Sequence, residues 1–260
     1  MGKKQILKFQ NLIFDWWEVN KRDLPWRHTR DPYKILVSEV MLQQTQVARV
    51  LSKYEEFLYF FPDVFTLARA STAKVLKAWK GMGYNRRALY LHKTAKIIVE
   101  QYHGEFPDTE TKLTQLPGLG TYTARAVLVF AYGKDVAAVD TNIRQIITHF
   151  FFHDVGQKPA AIQKIADKLV PAGKSWEWHQ ALMDYGSLEM PKFKIKKIKK
   201  SGGIPFKETN RYFRGRIIDR LREKSIDEKN LLKDFSKKII ESLIKDGLVV
   251  RKKGKLQLPD

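Results

Sequence analysis

Residues 116–127 read LPGLGTYTARAV, and no other stretch constrains the fold as tightly. A Leu-Pro-Gly-Leu-Gly turn stands between two segments of helical spacing. Gly118 and Gly120 free the turn backbone and let another chain segment approach it. Thr121 or Thr123 then caps a helix carrying Ala124, Ala126, Val127 and Val129. A tight turn that opens a helix points unpaired N–H groups outward and so offers a seat for an anion, a DNA phosphate first among them. Taken alone, the same turn also serves as a plain helix–helix connector.

The chain around this turn reads as all-α through its first 190 residues. Ile6, Phe9, Leu12, Ile13, Trp16 and Trp17 form a stripe on a helix over 5–19. A basic, Pro-broken loop, KRDLPWRHTRDPY, follows, and Asp31-Pro32 reads as N-cap and first helical residue of a helix over about 32–48. Further helices are expected over 50–61, from Ser71 or Thr72 to Trp79, over 85–102, 109–115, 121–132, 140–152, 159–170 and 175–188. No strand, βαβ unit or repeat is legible before residue 190.

At Pro191 the composition breaks. Residues 191–260 hold 22 basic and 9 acidic side chains, so much of the net charge of +20 sits in this tail. PKFKIKKIKKSGGIP reads as a basic linker. Beyond it, helices are expected over 209–223, over Ile226–Leu232 and around Phe235–Ile244, followed by a hairpin, LVV-RKKGK-LQL. Three helices and a basic hairpin are the order of a winged helix. Such a module places its third helix in a DNA groove and its wing on the backbone, while the alternative is a basic appendage packed on the main body. The expected domains are therefore 1–190, a linker at 191–208 and a winged-helix-like module at 209–260.

Charge also narrows the partner. A net charge of +20 at pI ≈ 9.9 favours a polyanion, nucleic acid first, through counterion release. No apolar run is long enough to span a bilayer and no signal peptide is visible. The chain has no cysteine. That removes disulfides, thiolate metal sites and cysteine nucleophiles, and suits a reducing cytoplasm.

Two carboxylates stand out by their surroundings. Glu39 lies on a helix between Ile35 and Leu36 on one side and Leu42 and Gln43 on the other, where desolvation would raise its pKa and suit a general acid. Read alone, it is most simply a surface residue or half of an ion pair. Asp140 follows the mostly apolar AYGKDVAAV and opens TNIRQIITHFF, most simply as an N-cap. His149 and His153 are four apart, but the intervening FFF reads as core, and no catalytic metal is expected.

Taken in order, LPWR (24–27), DPYKILVSEVMLQQTQV, AWKGMGYNRRALYLH, LPGLGTYTARAV, VDTNIRQ and ALMDYGS (181–187) resemble the helix-hairpin-helix DNA glycosylases, and within them the MutY-type adenine glycosylases. The resemblance covers about 165 residues, and SEVMLQQTQV is its most specific part. It implies an all-α, two-lobed glycosylase fold with the small winged-helix-like tail as an addition. It also implies a monofunctional base-excision repair enzyme that flips a mispaired base out of double-stranded DNA and hydrolyses its N-glycosidic bond. The expected base is adenine opposite 8-oxoguanine or guanine. Glu39 matches the acid that protonates the leaving base, and Asp140 the carboxylate that stabilises the cation-like sugar. Asn142 matches a residue that helps hold the site. Tyr122 occupies the position where bifunctional relatives carry a Schiff-base lysine, so lyase chemistry is not expected. Gln44 and Tyr84 match residues that wedge into the base stack, with Gln43 beside them. Arg27, Pro117, Gly118, Leu119, Gly120, Thr121, Lys194, Lys196 and Lys197 complete the expected DNA contacts.

The chain also departs from that pattern. The four cysteines of the family's iron–sulfur cluster are missing, the first being expected at Met190, and Lys192–Lys200 with the tail would replace the cluster loop's charge. No cofactor is expected, save room for a monovalent cation at the hairpin 118–123. The tail is shorter than the MutT-like domain with which relatives read 8-oxoguanine. Thr141 stands where Gly is usual, and Asn85 where a second Tyr is common. Two alternatives therefore stay open: a T:G or U:G mismatch thymine/uracil glycosylase, and a non-catalytic DNA-damage binder. A monomer acting in the cytoplasm on the nucleoid is expected, with protein partners unknown.

Overall fold

The amphipathic stripes and Gly/Pro breaks become fourteen α-helices and three short strands among the described residues, 2–193 and 204–260 of a computed structural model. Lys194, Lys196 and Lys197 lie outside the described residues. Chain order runs α1 (Lys3–Asn20), α2 (Pro32–Leu42), α3 (Val47–Phe60), α4 (Val64–Arg69), α5 (Thr72–Ala78), α6 (Arg86–Tyr102) and α7 (Glu110–Thr114). Next come α8 (Thr121–Tyr132), α9 (Thr141–Phe152), α10 (Pro159–Leu169), α11 (Ser175–Leu188) and α12 (Asn210–Glu223). The chain closes with β1 (Ile226–Asp227), α13 (Glu228–Leu231), α14 (Lys237–Lys245), β2 (Val250–Lys252) and β3 (Lys255–Gln257).

Two compact units share these elements. One holds the described residues of Met1–Leu36, Asp108–Gln115 and Leu119–Ile198; the other holds those of Val37–Pro107, Leu116–Gly118 and Lys199–Asp260. In the first unit α1 and α9 both pack on α11. Phe9, Ile13, Ile143, Ile146, Ile147, Ile162, Leu169 and Trp178 make its core. Burying each such side chain contributes about 1.5–3 kcal/mol. Asp184 of α11 is fully buried and collects donors from Arg27, Arg22 and Trp17. Burial pushes this carboxyl up, but the Arg27 and Arg22 donors outweigh it and hold the pKa below the usual range.

In the second unit α4 packs on α6 around Phe57, Leu67, Leu76, Trp79, Leu91 and Ile98. The tail belongs to this unit and fastens to it through α12. Buried Arg222 donates to Leu76 O at 2.9 Å and to Asn85 Oδ1 at 2.8 Å, and Ala73 N donates to Pro259 O at 2.7 Å. The tail has the winged-helix order, with antiparallel strands arranged β1-β3-β2. Lys253 and Gly254 link β2 to β3, both at positive φ, which is the turn that matches strand twist.

Three expectations are corrected. The helix expected over 32–48 stops at Leu42 and resumes at Val47, because Gln44 takes a left-handed conformation (φ 54°) that a helix cannot contain. A helix missed in the sequence, α4, is capped by Asp63, whose carboxylate accepts from Thr66 N at 2.7 Å. The short helix expected from Ile226 begins instead as a strand, since Ile226 and Asp227 pair with Leu256 and Lys255.

Candidate active site and nucleic-acid interface

In the first unit, Asp140 sits at the head of α9 and performs the capping role its sequence position suggested. Its carboxylate accepts from Ile143 N at 2.7 Å and from Asn142 Nδ2 at 3.0 Å. Burial pushes its pKa up from the ordinary value, against the pull of the Ile143 and Asn142 donors. An anion held by two donors in a poorly hydrated place can meet a developing positive charge without reorganising. The strand-like approach to it is clamped as well. His179 Nε2 accepts from Ala138 N at 2.9 Å, and its Nδ1–H donates to Ser175 O at 2.6 Å. Burial lowers the pKa of His179 to about 4, so the ring is neutral at pH 7, as both bonds require.

Gly186 of α11 supplies close packing that the motif did not explain. A Cβ there would lie 2.5 Å from Asn142 Cβ, so only glycine lets α11 approach the start of α9. Tyr122 is half-buried in the first turn of α8. Leu119 is buried, while Gly120 and Thr121 are exposed. Gly120 rather than Thr121 or Thr123 is the N-cap, with no side-chain cap, so its neighbours' N–H groups are not claimed by a capping side chain. Its φ of −91° is open to any residue, which corrects the expectation that Gly120 is needed for its backbone angles.

Arg27 is corrected too. Expected on DNA, it instead places both Nη atoms on Asp184 at 2.7 and 2.8 Å, with its side chain 6% exposed. With the side chain that deeply buried, its remaining donors are closed off from a phosphate in solvent.

In the second unit, Glu39 is 5% exposed within an unbroken buried run from Ile35 to Met41. A carboxyl in such apolar company is partly desolvated, as the flanking residues implied. The α2–α3 break carries Gln43 and Gln44, and the GMGY loop carries Tyr84; Gln44 and Tyr84 are both non-glycine residues at positive φ, 54° and 45°. Left-handed backbone in such residues costs of order 1 kcal/mol and gathers at working sites. One buried side chain ties the two loops together, and no local pattern in the chain announces it. Arg87 Nη1 donates to the carbonyls of Val40, Met41 and Gln43 at 2.5–2.9 Å. Its Nη2 donates to Thr45 Oγ1 and Met82 O, both at 3.1 Å. The Val40 and Met41 carbonyls are among those orphaned where α2 ends. Burial lowers the Arg87 pKa to about 10, which leaves it charged at neutral pH.

The hairpin turn is fixed from α6. Thr94 Oγ1 donates to Pro117 O at 3.0 Å. Gly118 has φ +78°, and a Cβ there would lie 2.8 Å from Tyr90 Cβ, so this glycine is required twice over. At the place of the expected first cluster cysteine, Met190 is 2% exposed within the first unit's apolar core. With no cysteine in the chain, the ligand set for such a cluster is missing. Among the described residues, no group of three or more His, Asp or Glu is arranged to hold a metal ion.

The chain is similar to known proteins. A thymine/uracil-DNA glycosylase of Methanothermobacter thermautotrophicus is 33% identical over 184 residues, 69% of this chain and 83% of that protein. An adenine DNA glycosylase of Mycobacterium tuberculosis is 36% identical over 281 residues, 95% of this chain and 92% of that protein. The solved structure of a thermostable thymine-DNA glycosylase superposes with a TM-score of 0.69 at 32% identity, covering 74% of this chain and 91% of that one. Residues 37–172, more than half of the chain, match the HhH-GPD superfamily base excision DNA repair protein family. The chain belongs to that family.

Proposed function

We propose that the protein is a monofunctional DNA glycosylase of base excision repair that extrudes a mispaired base and hydrolyses its N-glycosidic bond, with adenine opposite 8-oxoguanine or guanine as its substrate. The observation that carries the reading is the Asp140 carboxylate, half-buried at the head of α9 and held by Ile143 N and Asn142 Nδ2. It stabilises the positive charge that grows on the sugar as the bond breaks. Glu39, buried in α2, supplies the proton that neutral adenine needs in order to leave. Water completes the displacement. Tyr122 offers a phenol where imine chemistry needs an amine, so the sugar–phosphate strand stays intact. Gln44 and Tyr84 wedge into the stack, with Gln43 beside them, and the hairpin residues Pro117 to Thr121 take a phosphate. Adenine is favoured by an adenine DNA glycosylase that aligns over nearly the whole chain, and by SEVMLQQTQV.

Thymine or uracil opposite guanine is the second reading, favoured by the thymine/uracil-DNA glycosylase at 33% identity. No described helix is long and apolar enough to cross a membrane. A double-stranded DNA substrate is what supports, within this proposal, action in the cytoplasm on the nucleoid.

Labelled duplexes containing A:8-oxoG, A:G, T:G and U:G, treated with alkali after incubation, test the proposal. Alkali-dependent cleavage at adenine, lost in Glu39→Gln and Asp140→Asn, is the expected result. Cleavage at T or U instead moves the protein to the second reading. No cleavage anywhere makes it a binder, and scission without alkali overturns the monofunctional assignment. Asn142→Ala adds a finer check. It removes a donor that favours ionised Asp140, so the acid limb of the single-turnover pH profile moves to higher pH.

A further inference from the structure

The charge of the tail is unevenly committed. Arg251 on β2 is held by two carboxylates, Glu228 and Glu241, both at 2.7 Å. Lys252 pairs with Asp260, Arg220 with Asp234, and Arg214 with Asp246. Arg211, at the exposed start of α12, is different. Among the described residues it has no carboxylate partner; its guanidinium lies 3.9 Å from the Tyr84 ring centroid and donates to the Tyr84 hydroxyl. Arg49, at the start of α3, is likewise exposed and without an ion pair among the described residues. Both line one open cleft of about 580 Å³, together with Gln44, Tyr84, Arg86 and Arg216, and with Asp219 as its one acidic lining residue. Arg216 meets Asp219 at 3.3 Å in an exposed i,i+3 pair, a contact too weak to hold it against a phosphate.

We infer that the winged-helix-like module meets DNA through its first helix. Arg211 and Arg216 of α12, with Arg49 and Arg86, form a strip that takes the DNA backbone beside Gln44 and Tyr84. The inference rests on the DNA reading of those two wedge residues. Charge complementarity selects the occupant, since six guanidinium groups line the open cleft with one carboxylate. Arg87 is committed to backbone carbonyls and Arg214 to Asp246, Arg86 stands 3.9 Å from the same Asp246, and Arg49, Arg211 and Arg216 are exposed. Guanidinium donors in a fork bind phosphate oxygens in pairs. Stacking on Tyr84 restricts Arg211, so little rotamer freedom remains to be lost when a phosphate arrives. The first helix is available for this because its other end is already fastened, through Arg222 to Leu76 and Asn85 and through Lys80 to Glu223 at 3.0 Å. This differs from the usual use of the module, in which the third helix and the wing face the DNA.

Binding of the full chain to a short labelled undamaged duplex across a salt series tests this. The Arg211→Ala/Arg216→Ala double variant is expected to lower the slope of log K against log salt by about 2, near 0.9 per lost phosphate contact. Lys237→Ala/Lys238→Ala, on the third helix, is expected to leave the slope as it is. Arg211→Gln keeps a planar group over Tyr84 but removes the charge, and lowers the slope by about 1, which separates charge from packing. An unchanged slope in the α12 variants overturns the inference, and so does flattening confined to the lysine variant. Because the probe carries no lesion, a chain that excises no base still returns these slopes. Failure of the glycosylase assignment and failure of this one are therefore distinguishable.

Discussion

His179 shows how one buried side chain ties the candidate site to pH. Its ring fastens Ala138, two residues before Asp140, to α11 through bonds that need the neutral tautomer. In the unfolded chain the ring protonates near 6.5, whereas burial holds it near 4 in the folded state. Between those values the unfolded state binds more protons. His179 therefore contributes stability that is fully present above about pH 6.5 and is lost as pH falls toward 4, about 3 kcal/mol in all. Asp140 acts with the opposite sign, since its raised pKa makes the folded state the better proton binder just above 3.8. Thermal unfolding from pH 4 to 7 isolates the first contribution by difference. His179→Gln, which does not titrate, is expected to flatten the wild-type slope in this window, and parallel curves would refute the assignment.

At the scale of elements, the α2–α3 break rests on Arg87. A helix continuing past Leu42 would satisfy its own carbonyls; here the guanidinium takes them, and Gln43 and Gln44 are presented from a turn. Arg87→Lys replaces a planar fork of donors by one ammonium and leaves several buried carbonyls unpaired. A loss of about 3 kcal/mol follows, or a fall in Tm of about 10 °C, and on the proposed DNA reading of the Gln43–Gln44 turn DNA binding weakens with it. Calorimetry on the purified variant checks it, and a Tm within a degree or two of wild type would rule out the clamp. The break also marks where sequence reading stops. Helix α8 was legible to the residue, Thr121–Tyr132, because Gly120 and Gly133 bound an apolar run. The end of α2 was not, because it is decided by a side chain more than forty positions later. Arg27 and Asp184 are 157 positions apart, so nothing local showed that LPWR spends its arginine inside the fold. Asp140 and Glu39 could be named early, since a cap and an apolar face are local signals. What holds them, Asn142 against Gly186 and Ala138 against His179, is tertiary. The two-residue strand β1 carries too little pattern to distinguish it from a helix start.

For the whole molecule, the tail's place in the second unit changes what its removal would do. A tethered binding module can be cut away and leave a folded enzyme with weaker affinity. Here the tail supplies Arg222 to the Leu76 carbonyl, Pro259 O to Ala73 N, and the buried Ile217, Ile218 and Leu221 of α12, the helix that packs on α5 and α14. Ending the chain at residue 203 unpairs those backbone groups and exposes apolar surface along α5. Each unpaired buried group costs about 1–3 kcal/mol, and each uncovered large apolar side chain a similar amount. The truncated chain is therefore expected to melt well below the full chain, or to aggregate on expression, and to lose base excision with DNA binding rather than binding alone. Differential scanning calorimetry and single-turnover excision on the two chains decide between these pictures. A truncated chain that keeps the full Tm and excises at the full rate at saturating DNA would show that the tail is an independent module and that Arg222 is dispensable.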